Sequence, residues 1–139
     1  MPTSPSPPSA DVGLIIVDHG SRRRESNDLL LEVVEAYRRH SGWAIVEPAH
    51  MELAEPSIAD AFGRCVELGA KHIVVVPYFL APGRHWSEDI PQLAAEAVSP
   101  FLERGVSFVV TPPLGLHPLM LRVIDERVAE GMGGTNVEC

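Results

Sequence analysis

Apolar positions along the chain follow two habits. Short continuous apolar runs occur at residues 14–18 (LIIVD), 43–47 (WAIVE), 72–76 (HIVVV) and 106–110 (VSFVV). Runs of this length without polar alternation fit strands covered on both faces of a parallel sheet. Between them the spacing becomes helical. Over residues 25–40, Leu29, Leu30, Val33, Val34 and Tyr37 recur at helical intervals, and Ser41-Gly42 marks the stop. After the second run, Ile58, Ala61, Phe62, Cys65 and Val66 trace a second stripe, with Pro56 in its first turn and Gly69 ending it. Residues 88–104 predict a third helix, with Pro91 near its start and Pro100 disturbing its end. Residues 117–130 predict a fourth, with Pro118 in the first turn and Leu119, Val123, Ile124 and Val128 facing inward.

The order is βαβαβαβα. Such an order predicts an α/β fold with a four-stranded parallel sheet and helices on both faces, because each crossover returns its helix to the sheet. Residues 13–130 form the expected lobe, 1–12 a Pro- and Ser-rich disordered arm, and 131–139 a flexible tail. A length of 139 residues suits one domain. The net charge of −8 argues against nucleic acid and against an anionic membrane surface as partners. No apolar run approaches the ~18 residues of a membrane span. The first residues lack the charged and apolar regions of a signal peptide and the arginines of a transit peptide. The expected compartment is therefore cytoplasmic, with a chloroplast stroma as the alternative. Cys65 and Cys139 form no CxxC pair, which argues against a disulfide framework or a cysteine zinc site. Cys65 falls in the helical stripe and reads as core.

In such folds ligands bind beyond the carboxyl ends of the strands, at a topological switch point. With strand order 2-1-3-4, the switch lies between the first and third strands. The segments that follow them are DHGSRRR and PYFLAPGRHWSED. The topology thus draws His19, Gly20 and Arg22–Arg24 towards Gly83, Arg84 and His85. Two imidazoles in one crevice can hold a divalent transition metal or accept protons. Arginines beside them can grip carboxylates in planar, bidentate fashion. The run Arg22–Arg24 also fits a solvated helix start, although cations there oppose the helix dipole. Asp89 shares a face with His85 if that segment is helical. Glu52 follows the second strand on the same edge, where His50 and His117 also lie. His40 and His72 read as structural. The strand–His–Gly pattern also occurs in histidine phosphatases, whose signature is Arg-His-Gly; here Asp18 stands in place of that arginine. No GxxxxGK[ST] is present, so nothing points to ATP.

VDHGSRRRESND, VEPAHMELAEPSIADAF, GAKHIVVVPYFLAPGRHWSEDIP and PPLGLHPLM resemble the small class II chelatases, a family that includes sirohydrochlorin cobaltochelatases and ferrochelatases. The likeness covers roughly residues 13–130. It implies a flavodoxin-like lobe and an ATP-independent lyase that inserts Fe2+ or Co2+ into sirohydrochlorin, for siroheme or cobalamin biosynthesis. The family's metal-binding histidines match His19 and His85. With these, Glu52 is expected to be catalytic, and Glu88 and Asp89 to relay protons. Arg22, Arg23 and Arg84, with Gly20 and Ser21, are expected to bind the substrate's carboxylates. Short members pair as homodimers to complete the cleft. The histidine-rich segment of some cobalt-handling members is missing, which leans towards iron. The cysteine-rich tail of the plastid forms is missing too, so no iron–sulfur cluster is expected in this chain. A non-catalytic metal or tetrapyrrole carrier with the same crevice is the alternative.

Overall fold

The four apolar runs form one all-parallel sheet in the order β2-β1-β3-β4. The computed structural model describes residues 10–81, 83 and 85–133, His85 and Trp86 by their backbone alone. Its strands are β1 (Val12–Asp18), β2 (Ile45–His50), β3 (His72–Pro77) and β4 (Ser107–Val110). Its helices are α1 (Arg24–Ser41), α2 (Ile58–Glu67), α3 (Ile90–Val98) and α4 (Pro118–Met132). Alternate residues of a strand point to opposite faces. Ile15 and Val17 of β1 therefore pack with Phe62 of α2 and Ile90 and Ala94 of α3. Leu14 and Ile16 point the other way, onto Leu30 and Val34 of α1. The expected strand order and two-faced architecture are both present.

β2 begins later and ends later than the apolar run predicts. Trp43 stays outside it and packs into the α1 cluster, while the strand continues through Pro48, opposite Ile16, to His50. A proline is tolerated here because β2 is the sheet edge. The expected helical role of Pro56 is corrected as well. Pro56 precedes the N-cap Ser57, and α2 opens with a capping box in which Ser57 and Asp60 exchange two hydrogen bonds of 3.0 Å.

The predicted helix over 88–104 is three pieces. A π-helical turn spans His85–Asp89, α3 follows, and a 3-10 segment spans Ser99–Arg104. Pro100 lacks an N–H for the α-helical ladder, so the tail tightens instead of continuing. Cys65 is core as expected. Burial, and secondarily the charge of Glu47, push its thiol up to about 12, so at neutral pH it is an inert buried group.

The main departure concerns α4. None of its residues is buried. Leu119, Val123, Ile124 and Val128, expected to face inward, are 65%, 42%, 57% and 53% exposed. Leu29 of α1 also turns to solvent, at 55% exposure. The sheet carries a matching deficit. In β3, Ile73, Val75 and Pro77 are buried, but Val74 and Val76 are only half-buried. On the α1 side an apolar groove of about 420 Å³ stays open, lined by Leu14, Ile16, Tyr37, Val74, Val76 and Tyr78 among others. The spacing of residues 117–130 signals an amphipathic helix correctly; it does not specify which surface covers the stripe. Among the described residues no helix is long and apolar enough to cross a membrane.

Candidate active site

Three chain segments meet at the carboxyl edge of the sheet. The ladder between β1 and β3 extends one step, with Tyr78 N–H donating to Val17 O at 2.7 Å. The ladder between β1 and β2 extends two steps: Met51 N–H donates to Asp18 O at 3.0 Å, and Glu52 N–H to His19 O at 3.2 Å. Backbone bonding thus fixes Glu52 beside His19. The adjacent Leu53 has φ of 68°, a region that a side-chain-bearing residue seldom adopts and that clusters at functional sites.

His19 is exposed at this edge. Its ring stacks on Phe79, with centroids 4.2 Å apart and planes 26° from parallel. Phe79 belongs to the segment after β3. The two loops of the switch point therefore touch through His19 and Phe79, and the second of them leads on in sequence to His85. The side chain of His85, and the whole of Arg84, lie outside the described residues. Glu52 and Asp89 line one shallow cleft of about 320 Å³, together with Met51, Gln92 and Leu93. Glu88 is exposed on the same π-helical turn. Among the described residues no three His, Cys, Asp or Glu side chains converge as a ready-made metal cage.

The turn that carries His19 is tightly constrained. Gly20 has φ of +88°, and a Cβ built on it would lie 1.8 Å from Glu52 O. Ser21 N–H donates to Asn27 Oδ1 at 3.0 Å, and Asn27 Nδ2 donates back to Ser21 O at 2.8 Å. Arg23 N–H donates to Ser21 Oγ at 2.9 Å. Arg22 and Arg23 project into solvent at the start of α1. Arg24 makes a long, exposed ion pair with Asp28, 3.8 Å, the kind that adds little to stability. The geometry therefore presents the exposed side chains of Arg22 and Arg23 close in sequence to His19, on a loop held by Asn27 and Ser21.

Sequence reasoning left several participants unassigned. Asn27 sits inside an expected helix, and only its poor helix propensity hints at another use. Phe79 lies in an apolar run and carries no signal beyond its place after β3. His50, one of two histidines noted on this edge, is fully buried, and its Nδ1 lies 2.5 Å from Asp18 Oδ1. His117, the other, caps α4 by accepting the Leu119 N–H at 3.1 Å. His72 contacts Ser107 Oγ at 2.7 Å at the far end of the sheet, a structural role as expected.

Comparison with known proteins bears on this edge. The CbiX family model matches residues 13–131. A chloroplastic sirohydrochlorin ferrochelatase of Arabidopsis thaliana is 59% identical over 84% of this chain and 51% of its own length. A sirohydrochlorin cobaltochelatase of Methanocaldococcus jannaschii is 45% identical over 58% of this chain and 56% of its own. The chain thus spans about half the length of these relatives. Among solved structures, the sirohydrochlorin chelatase SirB of Bacillus subtilis subspecies spizizenii, in complex with cobalt, superposes with a TM-score of 0.79 at 28% identity, covering 86% of this chain and 50% of that one. The parallel sheet, the paired strand ends around His19 and a match across nearly the whole lobe lead to one conclusion: this chain belongs to the CbiX family.

Proposed function

We propose that this chain inserts a divalent metal into sirohydrochlorin, with iron as the favoured substrate metal and cobalt as the other. The observation that carries the reading is His19 held against Phe79 at the switch point with Glu52 bonded beside it, in a chain so similar to a sirohydrochlorin ferrochelatase. Iron is favoured because the ferrochelatase relative is the more identical, 59% against 45% for the cobaltochelatase. In the reaction M2+ replaces two pyrrole protons, so two protons must leave. His19, with His85, presents the metal through neutral imidazole nitrogen. Glu52 accepts a pyrrole proton, and Asp89, facing the same cleft, with Glu88 beside it, passes protons to solvent. Arg22 and Arg23, following Gly20 and Ser21 in the chain, together with Arg84 from the sequence after β3, hold the carboxylates of the macrocycle despite the acidic whole chain.

The lobe works as a homodimer in this reading. A tetrapyrrole is a broad disc, and small-molecule sites enclose most of the ligand. This chain covers 50% of the SirB chain, so a second copy supplies the other wall. The exposed apolar stripe of α4 and the open groove over β1 and β3 are complementary in character, and α4 of one copy is suited to cover the groove of the other. The chloroplastic relative supports the stroma over the cytoplasm as the compartment. The test is anaerobic chelation followed by sirohydrochlorin absorbance, with Fe2+ and Co2+ in turn. Acceleration over the metal and macrocycle alone is expected. Binding of either without faster insertion would overturn the enzymatic reading. In the same assay, replacing Arg22, Arg23 and Arg84 by Gln should raise the KM for sirohydrochlorin more than it weakens metal binding.

A further inference from the structure

His50 is the one buried polar side chain among the described residues, at 1% exposure. Burying an imidazole costs free energy unless it is hydrogen-bonded, and an apolar side chain of similar size would fill this place without that cost. What the imidazole obtains is Asp18. Its Nδ1 lies 2.5 Å from Asp18 Oδ1. An ionised carboxylate only accepts, so Nδ1 carries the proton and donates. The same Oδ1 accepts the Gly20 N–H at 3.0 Å. One carboxylate oxygen thus takes a donor from the end of β2 and a donor from the turn that carries His19.

The contact joins residues 32 apart in sequence, and it sits beneath the backbone bonds from Met51 and Glu52 to Asp18 and His19. Without it, Asp18 has one donor fewer holding it back from the crevice. A carboxylate next to His19 and free to swing there would compete for the metal and shift the turn. We infer that His50 is a positioning residue for metal insertion: through Asp18 it fixes the His19 turn and keeps the Asp18 carboxylate turned away from the incoming metal. This rests on the chelatase reading of the crevice.

The test compares His50→Phe, His50→Gln, Asp18→Ala and the double variant Asp18→Ala/His50→Phe in the full chain. Co2+ alone is titrated and followed by its visible absorption, and chelation kinetics and thermal melts are recorded beside it. His50→Phe should melt cooperatively, keep its KM for sirohydrochlorin, and lose roughly ten- to a hundredfold in kcat and in Co2+ affinity, the range for partners that orient metal-binding groups. His50→Gln keeps a donor and should recover most of that loss. The double variant should match Asp18→Ala alone, because His50 acts through Asp18. Wild-type kcat and Co2+ affinity in His50→Phe, or losses that simply add in the double variant, overturn the proposal. Should His50→Phe fail to fold, Asp18→Asn removes the shared charge at constant size, and an unchanged Co2+ spectrum and kcat there overturn it equally. Co2+ binding is read without sirohydrochlorin, so a wild-type chain that binds Co2+ but inserts no metal defeats the proposed function and not this inference.

Discussion

Replacing Gly20 by Ala separates the site from the fold more sharply than any other single change. Two effects add. At φ of +88° an alanine is in the left-handed region, which costs about 1–2 kcal/mol. The new Cβ would also sit 1.8 Å from Glu52 O, where ordinary contact begins at 3.4 Å. The obstructing atom is backbone, so the β1 and β2 ends must part by about 1.6 Å, the difference of those two distances. That opening breaks the Glu52 N–H to His19 O bond. Misplacing a reacting group by about 1 Å can cost roughly a hundredfold in rate. Gly20→Ala should therefore lower kcat/KM for metal insertion roughly a hundredfold, about 2.7 kcal/mol of transition-state stabilisation. Gly105→Ala is the control: its φ is +81°, and nothing lies within 4 Å of its added Cβ. It should share the loss of thermal stability and keep its activity. The measurement pairs chelation kinetics with thermal melts for both variants. A Gly20→Ala enzyme with near-wild-type kcat/KM, or an equal loss of activity in Gly105→Ala, refutes the reasoning.

His19→Ala and His85→Ala should each fold normally and lose most chelation, and a near-wild-type rate in either removes that residue from the mechanism. Ile124→Glu, which places a charge on the exposed α4 stripe, should shift the chain to monomer in sedimentation and lower activity; a monomeric wild type fully active on dilution would sink the shared-cleft idea. The Cys65 thiol is raised in the folded state from 9.0 to about 12, so between those values the unfolded chain has lost a proton that the folded chain keeps. Stability from this group is complete below pH ~9 and falls as pH climbs towards ~12, by at most about 4 kcal/mol. Chemical unfolding of wild type against Cys65→Ala across that range should give a slope that only the wild type shows, and parallel curves would count against it.

The strands, the helices between them and the strand ends that carry the site were legible because they depend on local signals: continuous apolar runs, and the residues that follow them. The order 2-1-3-4 was an assumption about the whole sheet, and it is the order the fold has. β2 was misjudged for a local reason of the opposite kind. Pro48 reads as a strand breaker unless the strand is known to lie at an edge, and edge position is a property of the whole sheet. α4 shows the same limit. Its stripe is written in the spacing of Leu119, Val123, Ile124 and Val128, but amphipathicity says that a surface is needed and not where that surface is. His50 and Asp18 find each other across the sheet, a contact no spacing rule reports. Arg84 and the side chain of His85 lie outside the described residues, so their expected convergence on His19 stays with the proposed mechanism.

The outer row of β2 has a consequence for how copies of this chain can and cannot associate. Met51 N–H points inward to β1, so by strand alternation Val46, Pro48 and His50 present their backbone groups outward. Part of this row is already engaged. Val46 O accepts from Arg38 Nη2, Pro48 has no N–H to offer, and His50 N–H donates to Pro56 O at 2.8 Å. At the opposite margin β4 is only four residues long. Unpaired strand margins are templates for adventitious strand addition and fibrillar aggregation. Here one margin is partly engaged and interrupted by a proline and the other is short, so strand-to-strand joining of copies is disfavoured, and helices and loops are the surfaces left for them to meet.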